Sequence, residues 1–213
     1  MENIVSNPMF SAIVSLFVGI VIWYGLTDEP ACVKKSVVSV FMDTVFYFVA
    51  ALFGINAVLN ISEVIQVPYR ILLFSSNVVW IASLGVLIYG SYLYGSKLWK
   101  AKEKSKSAAK LLTAVGLANH SYMYYRYASV TTLLLIVLFV SLLALLTFTN
   151  LTQKVSPIAI ASGFGALHLL IMGTRSVIYF NFVFTPLAIL SLFLVFSGLL
   201  LGYKRGILPS KQN

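Results

Sequence analysis

Charged residues, cysteine and histidine are all scarce in this sequence. Only 10% of its 213 residues are charged, whereas soluble domains carry about 25%. The single cysteine, Cys32, excludes an internal disulfide and a CxxC redox pair. The two histidines and six acidic residues are dispersed along the chain, which argues against a zinc site and against a Ser-His-Asp triad. The sequence therefore predicts neither an enzyme nor a metal or cofactor site.

The chain is rich in long apolar runs. Of its residues, 60% are hydrophobic, and its mean hydropathy is +0.94. A helix of about 20 apolar residues crosses the hydrocarbon core of a bilayer. Runs of about this length predict six spans, at residues 9–26, 36–59, 69–95, 130–148, 158–179 and 182–203. We expect the first run to be retained, because no basic residue precedes it and no small-x-small cleavage site follows it. The expected fold is an all-α integral membrane protein, a polytopic bundle of about six transmembrane helices, or seven, with one basic extramembrane loop.

The basic loop divides the chain into four parts. Residues 1–96 form an N-terminal three-helix membrane half, 97–127 a basic and partly amphipathic cytoplasmic loop, 128–203 a C-terminal membrane half, and 204–213 a basic tail. After the lysines of this loop, apolar residues recur at helical spacing and tyrosines follow them. This pattern predicts an interfacial helix that enters an aromatic belt.

The distribution of basic residues predicts the orientation, because cytoplasmic loops carry the excess of Lys and Arg. With the basic loop inside, Lys34 and Lys35 are also inside, and the loops 60–67 and 149–157 are outside. The sequons that begin at Asn60 and Asn150 fall in these two outer loops. We therefore expect a multi-pass protein of the secretory pathway or the plasma membrane.

The basic tail does not fit this scheme. An even number of spans places both chain ends on one side, so the tail would lie outside, against the charge rule. Two alternatives bring it inside. Either residues 157–203 contain a re-entrant segment in place of two full spans, or residues 107–127 cross the membrane as a seventh, polar helix.

Polar residues within or beside the apolar runs form a candidate intramembrane site, because a polar side chain is costly in hydrocarbon. They are Asp43, Asn56, Asn77, His168, Arg175 and Asn181. Asp43 is expected either to bind an ion or proton, or to lie near the inner interface and contact Lys34, Lys35 or a neighbouring helix. His168 and Arg175 are seven residues apart, which predicts that they share a face of span five. There Arg175 would bind an anionic substrate, a lipid phosphate or Asp43, or extend to the inner membrane boundary.

The sequence also predicts how two further pairs of residues lie relative to each other. His120 and His168 are expected at different depths, which argues against a haem held by both. Glu63 and Arg70 flank the start of span three and would pair only if the loop between them folds back.

The low polarity of the spans favours a non-catalytic structural, scaffolding or accessory subunit of a membrane assembly. Its expected partners are membrane lipids, including anionic headgroups, and other membrane-protein subunits or a second copy; the spans exclude a nucleic-acid binder. The residues expected to contact a partner or headgroups are Lys97, Lys100, Lys102, Lys104, Lys106, Lys110 and Arg126. The alternative function is a small transporter or channel with a polar path through Asp43, His168 and Arg175.

Overall fold

The computed structural model describes residues 8–99, 102–149, 155 and 157–204, and their fold is predominantly helical, as predicted. The α-helices are α1 (Pro8–Leu26), α2 (Ala31–Leu59), α3 (Ile61–Gln66), α4 (Ser76–Trp99), α5 (Lys102–Tyr127), α6 (Val130–Phe148), α7 (Pro157–Met172) and α8 (Pro186–Lys204). A 3-10 turn (Pro68–Leu72) precedes α4, and two short strands, β1 (Val177–Tyr179) and β2 (Phe182–Phe184), lie between α7 and α8.

Three helical stretches are long and apolar enough to cross a membrane. They are Ala31–Leu59, Ser76–Tyr94 and Val130–Phe148, and shorter apolar helices cover Phe10–Leu26, Ala159–Met172 and Pro186–Gly202. The boundaries follow the sequence closely where a run is uniformly apolar, as in α6, which coincides with the predicted span. By length and composition, these helices are compatible with a membrane-embedded protein.

The segment predicted as a basic loop is instead a helix at the centre of the bundle. Residue 97 lies within α4, and α5 packs mainly against α1 and α6, with further contacts to α2 and α4. Small residues make this packing close: a side chain at Gly19 of α1 would place its Cβ 2.5 Å from the Cα of Val115. A side chain at Gly116 would collide with the ring of Phe139 in α6. The central position of α5 corrects the expectation of an interfacial helix.

The strands form an antiparallel hairpin that replaces the predicted ends of spans five and six. Helix α7 ends at Met172, since Gly173 adopts the left-handed conformation with φ of 57°. The ring of Phe182 packs against Phe74, with centroids 6.3 Å apart. Phe180, at the tip, packs against a second apolar cluster, formed by α1, α2, α5 and α6. The hairpin is therefore inserted among the helices and is part of the core.

Short connections reverse the chain between successive long helices, so the bundle has two ends. At one end the indole of Trp23 donates a hydrogen bond to the Ser107 carbonyl (3.1 Å). There Lys110 also pairs with Glu29 at 3.2 Å. These contacts join the end of α1, the start of α2 and the start of α5. This end, at which α1 and α4 end and α2 and α5 begin, is called the lysine end.

The other end contains the segments 59–76, 127–130 and 172–186. Asn56 there donates through Nδ2 to the carbonyl of Ile71 (2.9 Å), and Arg175 donates to the hydroxyl of Thr131 (3.4 Å). It is called the arginine end, because Arg70, Arg126 and Arg175 lie in or beside these segments.

Candidate functional site

The six polar residues predicted to form one intramembrane site are spread over the fold. All six lie in described parts of the chain, and no hydrogen bond or ion pair there joins any two of them. Asn77 is exposed at the start of α4, and Asn181 is half-buried in the turn of the hairpin. Asn56 is fully buried, but its side chain holds the turn before α4 by donating to the carbonyls of Arg70 and Ile71. Its role is structural.

Asp43 lies on the outer surface of the bundle, on a face shared by α2 and α4. Its carboxylate accepts a hydrogen bond of 3.0 Å from the Tyr94 hydroxyl. Exposed side chains on the neighbouring turns of α2 and α4 are mostly apolar or aromatic and include Met42, Phe46 and Tyr89. We call this surface the α2–α4 face. It displays one carboxylate at the level of Tyr94, the last residue of the apolar stretch of α4, with an interhelical partner instead of Lys34 or Lys35.

The prediction that His168 and Arg175 share a helical face is wrong. Helix α7 ends between them, at Met172, because Gly173 turns the backbone into the left-handed region. The backbone N–H of Arg175 donates to the Met172 carbonyl (3.0 Å). Arg175 is consequently exposed beyond the helix, while His168 stays inside the bundle.

The two histidines come together, contrary to the expectation of different depths. Each is only 1% exposed. The ring of Tyr179 lies 4.6 Å from the ring of His120 and 5.9 Å from that of His168, and its hydroxyl is 3.2 Å from Nε2 of His168. Phe139 contacts both imidazoles as well. Sequence reasoning missed this cluster because Tyr179 reaches it on the hairpin.

The turn of the hairpin is held by the central helix. Phe180 and Asn181 both have positive φ, 50° and 66°, as a two-residue type I′ turn requires. A bulky residue rarely adopts this conformation, at a cost of about 1–3 kcal/mol. The N–H of Phe180 donates to Oδ1 of Asn119 (2.8 Å), and Nδ2 of Asn119 donates to the Ile178 carbonyl (3.4 Å). Asn119 thus fixes the hairpin beside His120.

The hydroxyl of Tyr179 lies within hydrogen-bond distance of the His168 ring, 3.4 Å from Nδ1 and 3.2 Å from Nε2. The hairpin is therefore linked to α7 as well as to α5.

A cavity of about 130 Å³ opens at the arginine end, next to this cluster. It lies between the end of α5, the start of α6 and the segment that leads into β1. Its lining residues are His120, Met123, Tyr127, Ser129, Thr131, Thr132, Arg175, Ser176, Val177 and Ile178. No carboxylate is among these described residues, so the charge at the cavity is positive.

Beside the cavity, one ring nitrogen and the start of one helix lack a side-chain partner within the described residues. The buried Nε2 atom of His120 makes no hydrogen bond there. At the start of α6, Ser129 is the N-cap residue but makes no side-chain capping bond, and an α-helix leaves its first N–H groups without partners inside the helix. A helix N-terminus also carries about half a positive charge. Arg175, the start of α6 and the ring of His120 therefore lie together at the cavity.

The basic residues predicted to contact headgroups differ in their surroundings. Lys110 is buried and paired with Glu29, whose other carboxylate oxygen accepts from the Ser107 hydroxyl (3.4 Å). Lys104 and Lys106 are half-buried on α5. Arg126 lies at the arginine end, its guanidinium 5.6 Å from the Tyr127 ring centroid. Lys97 and Lys102 lie on helices, with side chains outside the described structure, and Lys100 lies outside the described residues.

Glu63 and Arg70 do pair, at 2.6 Å and with both side chains exposed. The loop folds back as this pairing requires, because α3 and the 3-10 turn pack together.

Comparison with family models, with curated proteins and with solved structures gives no significant match. Within the described residues, no group of three or more His, Cys, Asp or Glu side chains is placed to hold a metal ion. Two surfaces of the described residues combine polar groups with an opening or an apolar surround: the cavity and the α2–α4 face.

Proposed function

We propose that this chain is a non-catalytic, multi-pass subunit of a membrane assembly and that its α2–α4 face packs against a different subunit. The supporting observation is the exposed carboxylate of Asp43 on an apolar surface. A charged side chain costs about 2.5–3.5 kcal/mol at the centre of a lipid-embedded helix on insertion scales. A hydroxyl from Tyr94 offsets part of this cost, and a partner helix with a basic or hydrogen-bonding side chain would offset the rest.

The exposure of α2 supports the same conclusion. Only 6% of its apolar window is buried inside the chain, and Phe46 on the α2–α4 face is 70% exposed. An apolar surface of this kind requires lipid or protein to cover it. The carboxylate of Asp43 on this surface favours protein over lipid.

The proposed orientation uses seven crossings, with the lysine end in the cytoplasm. All but three of the fifteen basic residues lie in sequence segments that flank the lysine end; the exceptions are Arg70, Arg126 and Arg175. With α5 as the seventh crossing, the basic tail joins the other lysines inside, as the charge rule requires. Its buried polar residues, Ser107, Thr113 and Asn119, would avoid lipid because α1, α2, α4 and α6 pack against it. The sequon at Asn150 then faces the cytoplasm, and the sequon at Asn60 faces outside.

The transporter alternative receives less support from the geometry. It requires a continuous polar path through Asp43, His168 and Arg175. Asp43 lies on the outer surface, whereas His168 lies in the aromatic cluster and Arg175 at the mouth of the cavity. The subunit proposal accounts for the position of Asp43, and a transport path does not.

Purification from native membranes in a mild detergent tests the proposal. We expect the chain to elute with another membrane protein at a fixed ratio, and we expect Asp43→Arg to reduce the amount of that protein at least tenfold. Glu63→Arg is the matched control, because Glu63 is also an exposed acid but lies in the arginine-end loop. A chain that elutes alone or only with copies of itself, or equal recovery of the partner with both variants, would contradict the proposal.

A further inference from the structure

We infer that the cavity at the arginine end binds a phosphate group, carried by a lipid headgroup or free in solution. This inference does not depend on the proposed assembly. It is based on the convergence of Arg175, the unpaired Nε2 of His120 and the uncapped start of α6 on one cavity.

The unpaired nitrogen is the first argument for a ligand. His120 is 1% exposed, yet its Nε2 atom makes no hydrogen bond with any described residue. Leaving a buried polar atom without a hydrogen-bond partner is unfavourable. His120 also lines the cavity, so its ring borders the space in which a ligand would bind.

The donors around the cavity match an anion. Arg175 has no carboxylate partner among the described residues, and its guanidinium makes only a long bond of 3.4 Å to the Thr131 hydroxyl. Thr132 adds a second hydroxyl to the lining. The N–H groups at the start of α6 and its helix dipole favour negative charge. A guanidinium fork, hydroxyls and backbone N–H groups are the donors that bind phosphate in proteins.

The size of the cavity limits the ligand to a small group. An apolar cavity of about 150 Å³ holds a benzene molecule, so 130 Å³ accommodates a phosphate group but not a nucleotide or a sugar phosphate as a whole. The cavity is open to the surface, where Arg175 and Ser176 are exposed. A ligand longer than its phosphate would extend out through this opening.

The position of the cavity makes both sources of phosphate accessible. It lies at the end of the bundle, between the termini of α5, α6 and α7. In the proposed orientation this is the level of the outer headgroups. A headgroup and a free anion would present the same oxygens to Arg175, and the experiment below separates them.

The test measures binding of two probes to the purified full-length chain in a non-ionic detergent. Inorganic phosphate is titrated by calorimetry, and phosphatidic acid retention is followed by native mass spectrometry against phosphatidylcholine. We expect Arg175→Gln to weaken binding at least tenfold, because it removes charge-assisted hydrogen bonds. His120→Phe, which keeps a ring but removes Nε2, should weaken it about threefold to tenfold.

The control variant is Arg70→Gln, which removes an exposed arginine from the same end of the bundle and should leave binding unchanged. Binding of both probes, or of phosphatidic acid alone, with loss in the Arg175 and His120 variants would support the site and identify its source. Thr131→Val, which removes only a hydroxyl, provides a third variant if the others lower the yield of folded protein. Failure of both probes to bind the wild-type chain, or binding that is equal in Arg175→Gln and Arg70→Gln, would overturn the inference.

Discussion

Replacing Lys110 by methionine removes the cation from a buried ion pair at the lysine end of the bundle. The Lys110 side chain is 7% exposed and its partner Glu29 is 14% exposed, with Nζ and Oε1 separated by 3.2 Å. The other oxygen of Glu29 accepts from the Ser107 hydroxyl. Lys110→Met therefore leaves a carboxylate that has lost its charge partner and keeps one neutral donor.

The expected loss follows from the desolvation of that carboxylate. Breaking a buried ion pair by removing one partner costs about 3–5 kcal/mol. We expect about 3 kcal/mol for Lys110→Met, at the lower end, because Glu29 retains some exposure and a hydroxyl donor. The double variant Glu29→Gln/Lys110→Met has no buried charge at this site. Its free energy of unfolding should lie within about 1 kcal/mol of the wild-type value.

The assay is reversible unfolding in mixed micelles, followed by circular dichroism, for the wild type, the two single variants and the double variant. The coupling free energy between the two positions is the difference between the double variant and the sum of the singles. We expect the double variant to be more stable than Lys110→Met alone. Additive losses, or a single-variant loss below about 0.5 kcal/mol, would refute a buried pair and imply that these side chains are in contact with water.

Three further predictions concern close packing, the hairpin and the topology. Gly19→Ala should lower the free energy of unfolding by about 1–3 kcal/mol, because the added Cβ meets the backbone of α5. The control Gly54→Ala, whose Cβ meets nothing within 4 Å, should be neutral or stabilising, and equal effects of the two variants in thermal unfolding would contradict the close packing of α1 on α5. Asn119→Leu should speed hydrogen exchange in the hairpin relative to α6, because the hairpin turn loses its acceptor, and unchanged exchange would show that Asn119 is not needed there. In the seven-crossing orientation Cys32 and the tail are cytoplasmic, so an impermeant maleimide should label Cys32, and Ser210→Cys in a Cys32→Ser background, only in permeabilised cells. Labelling of Ser210→Cys in intact cells would favour six crossings.

Apolar runs with clear ends could be predicted from the sequence. Helix α6 matches its predicted span at both ends, since Val130–Phe148 is uniformly apolar. Helix α1 differs from its prediction by one residue at its start, and α2 ends at the predicted Leu59. In each case the helix ends where an uninterrupted apolar run ends, and such a run can be recognised from the local sequence alone.

The central helix could not be predicted in the same way, because its buried residues are not the apolar ones alone. Ser107, Thr113 and Asn119 are buried on α5, while Leu112 is 57% exposed. A pattern search that expects apolar residues inside interprets such a segment as a surface helix. Its position depends on neighbours that supply small residues and hydrogen bonds, and a sequence window does not contain these neighbours.

The hairpin was missed for a related reason. Residues 177–184 are β-branched and aromatic, which suits a strand but also continues an apolar span. The usual hairpin signal is Asn-Gly or Asp-Gly at the turn, whereas this turn contains Phe180 and Asn181 at positive φ. Asn119, which is distant in sequence, stabilises the turn and so supplies what the local sequence lacks.

The predictions that failed are concentrated at the cavity. His120 was expected at an interface, Arg175 on the face of a helix, and Tyr179 at the end of a span. The positions of Arg175 and Tyr179 depend on the break at Gly173 and on the hairpin that follows it, whereas the position of His120 depends on the central packing of α5. A sequence that departs from regular helices at such a cost, with a strained turn and an unpaired buried nitrogen, is expected to gain something there in return. Binding of a phosphate group at the cavity, as we infer, would provide this gain, and Arg175→Gln is therefore the first variant to test.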